Sequence, residues 1–154
     1  RFGLMGFPAD TNCDVSTSLD VPWTVNDPLP FKTWFEAKGP NGSTPLADAL
    51  GSLLTYAPLI FGEKGGTIVV LSDGQDTCGK GNVVDNLTNY AAALFVNFNI
   101  KTYVIGYNYN GDASELNAIA KNGGTDLNTY IPAGNESELS DAFLTIVQDL
   151  KLCD

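Results

Sequence analysis

A threonine at a helix start and an aspartate just past a buried strand are two hard oxygen donors that one divalent cation could share. This chain offers both. Thr44 stands in Asn41-Gly42-Ser43-Thr44-Pro45-Leu46, and Asp73 in Ile68-Val69-Val70-Leu71-Ser72-Asp73-Gly74. Hydroxyl and carboxylate oxygens suit Mg²⁺, Mn²⁺ or Ca²⁺ rather than a soft metal. Mg²⁺ keeps several waters, so few protein ligands leave a position open for a partner's carboxylate. Each residue also has a plain structural role. Thr44 reads as a helix N-cap, with Pro45 at the first helical position. Asp73 reads as an Asp-Gly turn residue. A third oxygen-rich string, Asp14-Val15-Ser16-Thr17-Ser18, lies in a polar loop.

The elements that must position these groups are legible from periodicity. Arg1 to Phe7 is a short apolar run ended by Pro8, read as a buried strand. Residues 8–20 are rich in turn formers and read as a loop. Leu19 to Val25 reads as a short edge strand, because Pro22 cannot sit in a central one. Phe31 to Lys38 is weakly helical. Thr44 to Ile60 is expected to be a helix, with Leu46, Ala49, Leu50, Leu53 and Leu54 facing the core and Pro58 and Gly62 closing it.

Thr67 to Leu71 has the β-branched, apolar character of a parallel strand buried on both faces. Val83 to Asn97 is a second long helix, with Val84, Leu87, Ala91 and Leu94 inward, and Ile100 to Tyr107 is the next strand. Asp112 and Glu115 suggest a capped helix through Lys121. Thr129-Tyr130-Ile131 is a short strand. Asn135 and Glu138 cap a last helix to about Leu150, with Leu139, Phe143, Ile146, Val147 and Leu150 inward. Strands alternating with helices predict an α/β fold: a three-layer, doubly wound, Rossmann-like sandwich on a mostly parallel sheet with an antiparallel edge strand.

The chain's 154 residues suit one domain, and a 44% hydrophobic content suffices for a substantial core. Eight basic against eighteen acidic residues leave a net charge of −10, which argues against nucleic acid and anionic membrane as partners. No apolar run approaches the ~18 residues of a membrane span. Residue 1 already reads as strand, so no signal peptide is expected here, although a mature or trimmed chain would have lost one. Histidine is absent, which removes the commonest proton shuttle and zinc ligand and argues against an enzyme. Glycine-rich Gly79-Lys80-Gly81-Asn82 lacks the full dinucleotide fingerprint. The three cysteines lie outside any C-x-x-C pair, which argues against zinc, and the sequons at Asn41, Asn86 and Asn135 are of a kind that chance produces in an Asn-rich chain. Few lysines, many Asn, Gly and Thr, and a candidate disulfide among the cysteines favour an extracellular protein, secreted or at the cell surface.

Taken together and in this order, the motifs resemble the von Willebrand factor A domain family. Ser43-Thr44-Pro45-Leu46 resembles its threonine motif and Val70-Leu71-Ser72-Asp73-Gly74 its aspartate motif. Arg1 to Phe7 resembles its second strand, Ile100 to Gly106 its fifth, and Gly123-Gly124-Thr125 the turn into its last strand. The resemblance covers essentially the whole chain. It implies a metal-ion-dependent adhesion site with Thr44 and Asp73 as ligands, directly or through water. Its cofactor would be Mg²⁺, or Mn²⁺ or Ca²⁺, and its partner a protein or glycan presenting a carboxylate. The alternative is a structural or surface-assembly subunit on the same fold with no functional metal.

The chain departs from the family at the third motif. An Asp-x-Ser-x-Ser loop should follow the family's first strand, ahead of the segment matching Arg1 to Phe7. Asp14 to Ser18 instead follows that segment. It is therefore read as a coincidental match in a turn expected at the amino-terminal side of the parallel strands or beside the sheet's edge, away from Asp73. The family's first strand sits mid-sheet, between the strands matching residues 1–7 and 67–71. Without it, two strand edges would carry unpaired backbone groups, each costing about 1–3 kcal/mol if buried. The resemblance thus implies a single domain, 1–154, lacking its N-terminal strand and helix. Either the chain begins earlier, or it is nicked, or a second chain donates the strand; the first two are favoured. Cys13 and Cys78 are the best pair for a disulfide, although the family's topology does not itself join their loops. Free thiols remain the alternative. Cys153 would be left over.

Overall fold

A computed structural model describes residues 1–10, 12–39 and 42–150. Asn41 and Cys153, singled out above, lie outside them. The chain forms strands β1 (Phe2–Leu4) and β2 (Val21–Thr24), helices α1 (Leu29–Ala37) and α2 (Leu46–Phe61), strand β3 (Gly66–Ser72), helix α3 (Val83–Phe98), strand β4 (Ile100–Tyr107), helix α4 (Ser114–Asn122), strand β5 (Ile131–Ala133) and helix α5 (Glu136–Asp149). This is a mixed α/β fold.

The parallel sheet has the order β3-β4-β5. Gly66 pairs with Ile100 and Ser72 with Gly106, so β3 and β4 run in register over seven residues. Helices cover both faces of this sheet. On one side, Leu46, Leu50, Ala57, Leu87, Ala91, Leu94, Leu116 and Ile119 of α2, α3 and α4 pack with Val70, Ile100 and Val104. On the other, Ala142 and Ile146 of α5 pack with Tyr103, Ile105 and Ala133. The alternation along β4 explains the division: successive side chains point to opposite faces. The Tyr103 hydroxyl donates to the Asp149 carboxylate and ties β4 to the end of α5. Burial, reinforced by that carboxylate, holds the phenol well above its usual pKa.

Several expectations need correction. The segment Arg1 to Phe7 is not a buried strand. Only Phe2–Leu4 is extended, and Phe2 is 72% exposed. It pairs antiparallel with β2 in a sheet of its own, so the expected single sheet is two. Among the described residues β3 pairs only with β4, and β3 is not buried on both faces: Leu71 is 40% exposed. Among the described residues β1 pairs only with β2, so β1 and β3 each keep an edge that no strand covers. Helix α2 runs past Pro58 to Phe61, since burying Ala57 and packing Phe61 on the core outweigh the one backbone donor that proline removes. Phe143 is 43% exposed rather than inward; Ala142 takes the buried position.

The last helix begins as its sequence predicts. The Glu138 N–H donates to Asn135 Oδ1 at 3.0 Å, and the Gly134 N–H donates to Glu138 Oε2 at 2.7 Å. Asn135→Ala should therefore cost about 1 kcal/mol, read as a lower urea midpoint; an unchanged midpoint would show the cap to be idle.

Candidate functional site

Three connections converge beyond the carboxyl ends of the parallel strands: the entry to α2, the loop from β3 to α3, and the loop from β4 to α4. Ligands bind at this end of open α/β sheets. The turn after β3 is set by Ser72, whose hydroxyl donates to the Gly74 carbonyl at 2.9 Å. That leaves Asp73 exposed at the strand end. Thr44 stands beside the same turn, its Oγ1 3.9 Å from where a Cβ on Gly74 would lie. The two residues singled out in the sequence thus come from segments that share one end of the sheet.

The backbones of these segments are laced together. The Thr44 N–H donates to Thr77 Oγ1 at 2.7 Å, and the Thr77 N–H donates back to the Thr44 carbonyl at 3.0 Å. Asp76 goes further. Its Oδ2 accepts from the Ala47 N–H at 2.6 Å, in the first turn of α2. Its Oδ1 accepts from the Cys78 N–H at 2.7 Å and from the Gly79 N–H. Its own N–H donates to Glu115 Oε2 of α4 at 2.8 Å.

Neither Asp76 nor Glu115 was singled out by sequence reasoning. Glu115 was read as a capping-box residue of its own helix. In the structure it is buried; the N-cap position falls at Ala113, with no side-chain cap bond, and Asp112 accepts from the Ser114 N–H at 2.9 Å just ahead of the helix. The signal for Glu115 was a charged residue at the helical spacing of a buried face, beside Leu116 and four before Ile119. The loop from β4 packs here too. Gly111 abuts the Gln75 side chain, and Tyr109 donates to the Asp112 carbonyl at 3.0 Å. Burial, then the negative charges of Glu115 and Asp112, push the Tyr109 pKa up to about 12, so it remains a donor at neutral pH.

Cys13 and Cys78 form a disulfide, with their Cα atoms 5.7 Å apart. The pairing is as expected, but it corrects the placement of part of the polar loop. Cys13, and with it the adjacent Asp14, is brought beside the β3–α3 loop. The end of the same string is not: Ser18 borders a pocket with Tyr56, Leu59 and Ile60, in the last turns of α2 and away from Asp73. The known bonds of Asp14, Ser16 and Ser18 are local: Ser16 Oγ donates to the Ser18 carbonyl at 2.8 Å, and the Ala9 N–H donates to the Asp14 carbonyl at 2.7 Å.

Among the described residues no group of three or more Asp, Glu, His or Cys is arranged to hold a metal ion. Thr44 and Asp73 fit a hard cation in donor type, and Asp73 is open to solvent. Two donors leave most of a coordination shell to water and to other groups.

No family model matches the chain. It is 34% identical over 106 residues to the uncharacterized protein YwmC of Bacillus subtilis (strain 168), a match spanning 68% of this chain. The chain spans about 43% of the length of that relative.

Proposed function

We propose that this chain is part of a von Willebrand factor A-like binding module that engages a protein or glycan partner through a divalent cation held at Thr44 and Asp73. The observation that carries the reading is the placement of the Thr44 hydroxyl beside the Asp73–Gly74 turn, at the ligand-binding end of a parallel sheet. Thr44 and Asp73 would hold Mg²⁺, Mn²⁺ or Ca²⁺; the cation supplies a Lewis-acidic position for a partner's carboxylate. The role is binding, not catalysis. The disulfide supports an oxidising, extracellular setting, secreted or at the cell surface.

Among the described residues β1 pairs only with β2 and β3 only with β4, and the edges they leave unpaired support a further element of the proposal. A strand from elsewhere in the polypeptide, or from a second chain, enters between them and joins the two sheets into one doubly wound layer. The same edges favour a second reading, a surface-assembly subunit that takes up a donated strand and has no functional metal.

Mg²⁺ separates the two. A saturating concentration should raise the melting temperature of the full polypeptide, and Asp73→Ala should remove that shift. A wild-type melting temperature indifferent to Mg²⁺, in a protein that nonetheless oligomerises, would leave the assembly reading standing.

A further inference from the structure

We infer that Asp76 is the positioning residue of the Thr44–Asp73 pair, braced from α4 by Glu115; the inference rests on the metal-binding reading above and deepens it. The first turn of a helix presents N–H groups that need acceptors, and a threonine just ahead of it ordinarily supplies its hydroxyl. Here that demand is met from another loop. The Ala47 N–H is bound by the Asp76 carboxylate, 29 residues away in sequence. The Thr44 backbone is clamped on both sides by Thr77. Its hydroxyl makes no hydrogen bond among the described residues and stands beside Gly74. Capping by Asp76 leaves the Thr44 oxygen available to a cation.

Asp76 also answers an electrostatic objection. A helix N-terminus carries roughly half a positive charge, which opposes a cation placed beside it. The Asp76 carboxylate lies on that terminus and offsets it. Asp76 is not itself a ligand in this scheme. Both its oxygens are committed to backbone donors, one to Ala47 and the other to Cys78 and Gly79. The Asp76 N–H, held by the buried Glu115 carboxylate, fixes the carboxylate's aim. One side chain thus joins the start of α2, the β3–α3 loop and, through its own amide, α4. Residues that orient metal ligands without touching the metal typically govern affinity by roughly 10–100-fold.

The test is a Mn²⁺ titration of the full polypeptide followed by electron paramagnetic resonance, at a temperature where each variant is folded. Wild type should bind, and Asp73→Ala should not. Asp76→Asn should bind at least about tenfold more weakly. Ile146→Val, destabilised on the far face of the sheet, should bind like wild type. Glu115→Ala should weaken binding, and Glu115→Gln should restore most of it, because the amide oxygen still accepts from Asp76. If Asp76→Asn does not fold, the two Glu115 variants decide. Wild-type affinity in Asp76→Asn overturns the positioning role and leaves the metal reading intact. Equal losses in Asp76→Asn and Ile146→Val reduce Asp76 to a structural residue and overturn it as well. A wild type that binds no Mn²⁺ overturns the metal reading and this inference with it.

Discussion

Replacing Cys13 and Cys78 together by alanine is expected to lower the stability of the protein by about 4 kcal/mol. The bridge spans 65 residues of sequence and encloses β2, α1, α2 and β3. Chain-entropy arguments assign a loop of that length about 4 kcal/mol, because the cross-link removes expanded conformations from the unfolded ensemble. Its place makes the loss larger than that of a tether between two well-packed elements. β1 and β2 form a separate pair, with no backbone ladder to the parallel sheet among the described residues. The pair leans on the rest through contacts such as Trp23 against Phe61 and through this disulfide. Guanidinium denaturation of oxidised wild type and of the double variant measures the difference. Equal midpoints would sink the idea that the bridge holds the two sheets together. Loss is also expected at the site, since Cys78 lies two residues beyond Asp76 and its N–H is one of the bonds on the Asp76 carboxylate.

Truncation of Leu116 to alanine is expected to cost about 3 kcal/mol, within the 2–5 kcal/mol usual for a buried leucine. Leu116 is fully buried in α4 and packs against the backbone of Gly106 in β4, whose missing side chain admits it. The same helix carries Glu115 to Asp76. Removing the Leu116 side chain leaves a cavity under α4, which the short helix cannot close without shifting. The prediction is a matched pair of effects: a lower denaturation midpoint and a weaker Mg²⁺-dependent thermal shift. A normal thermal shift beside a lowered midpoint would mean that α4 does not hold the site loop.

How much of this was visible beforehand differs by element. The helices from Val83 and from Asn135, and the strand from Ile100, were legible because their signals are local. Leucine and alanine at a 3.6-residue period, an asparagine cap and a β-branched run each act within a few residues. Thr44 and Asp73 were legible as donor types at a helix entry and a strand end. Asp76 and Glu115 were not, because an Asp in a turn and a Glu in a helix's first turn look like local caps. Their partners lie 29 and 39 residues away in sequence.

The amino-acid order alone therefore determined the alternation of strands and helices, the buried stripe of α3, and the chemistry available at Thr44 and Asp73. These follow from backbone periodicity and side-chain type, which no distant contact needs to supply. The tertiary structure decided what depends on direction and on meeting across the chain. It placed Cys13 beside Cys78, and it divided the expected sheet into β1-β2 and β3-β4-β5. It gave the first turn of α2 to a carboxylate from another loop. A hydrogen bond between segments exists only once both have been brought to the same end of the sheet.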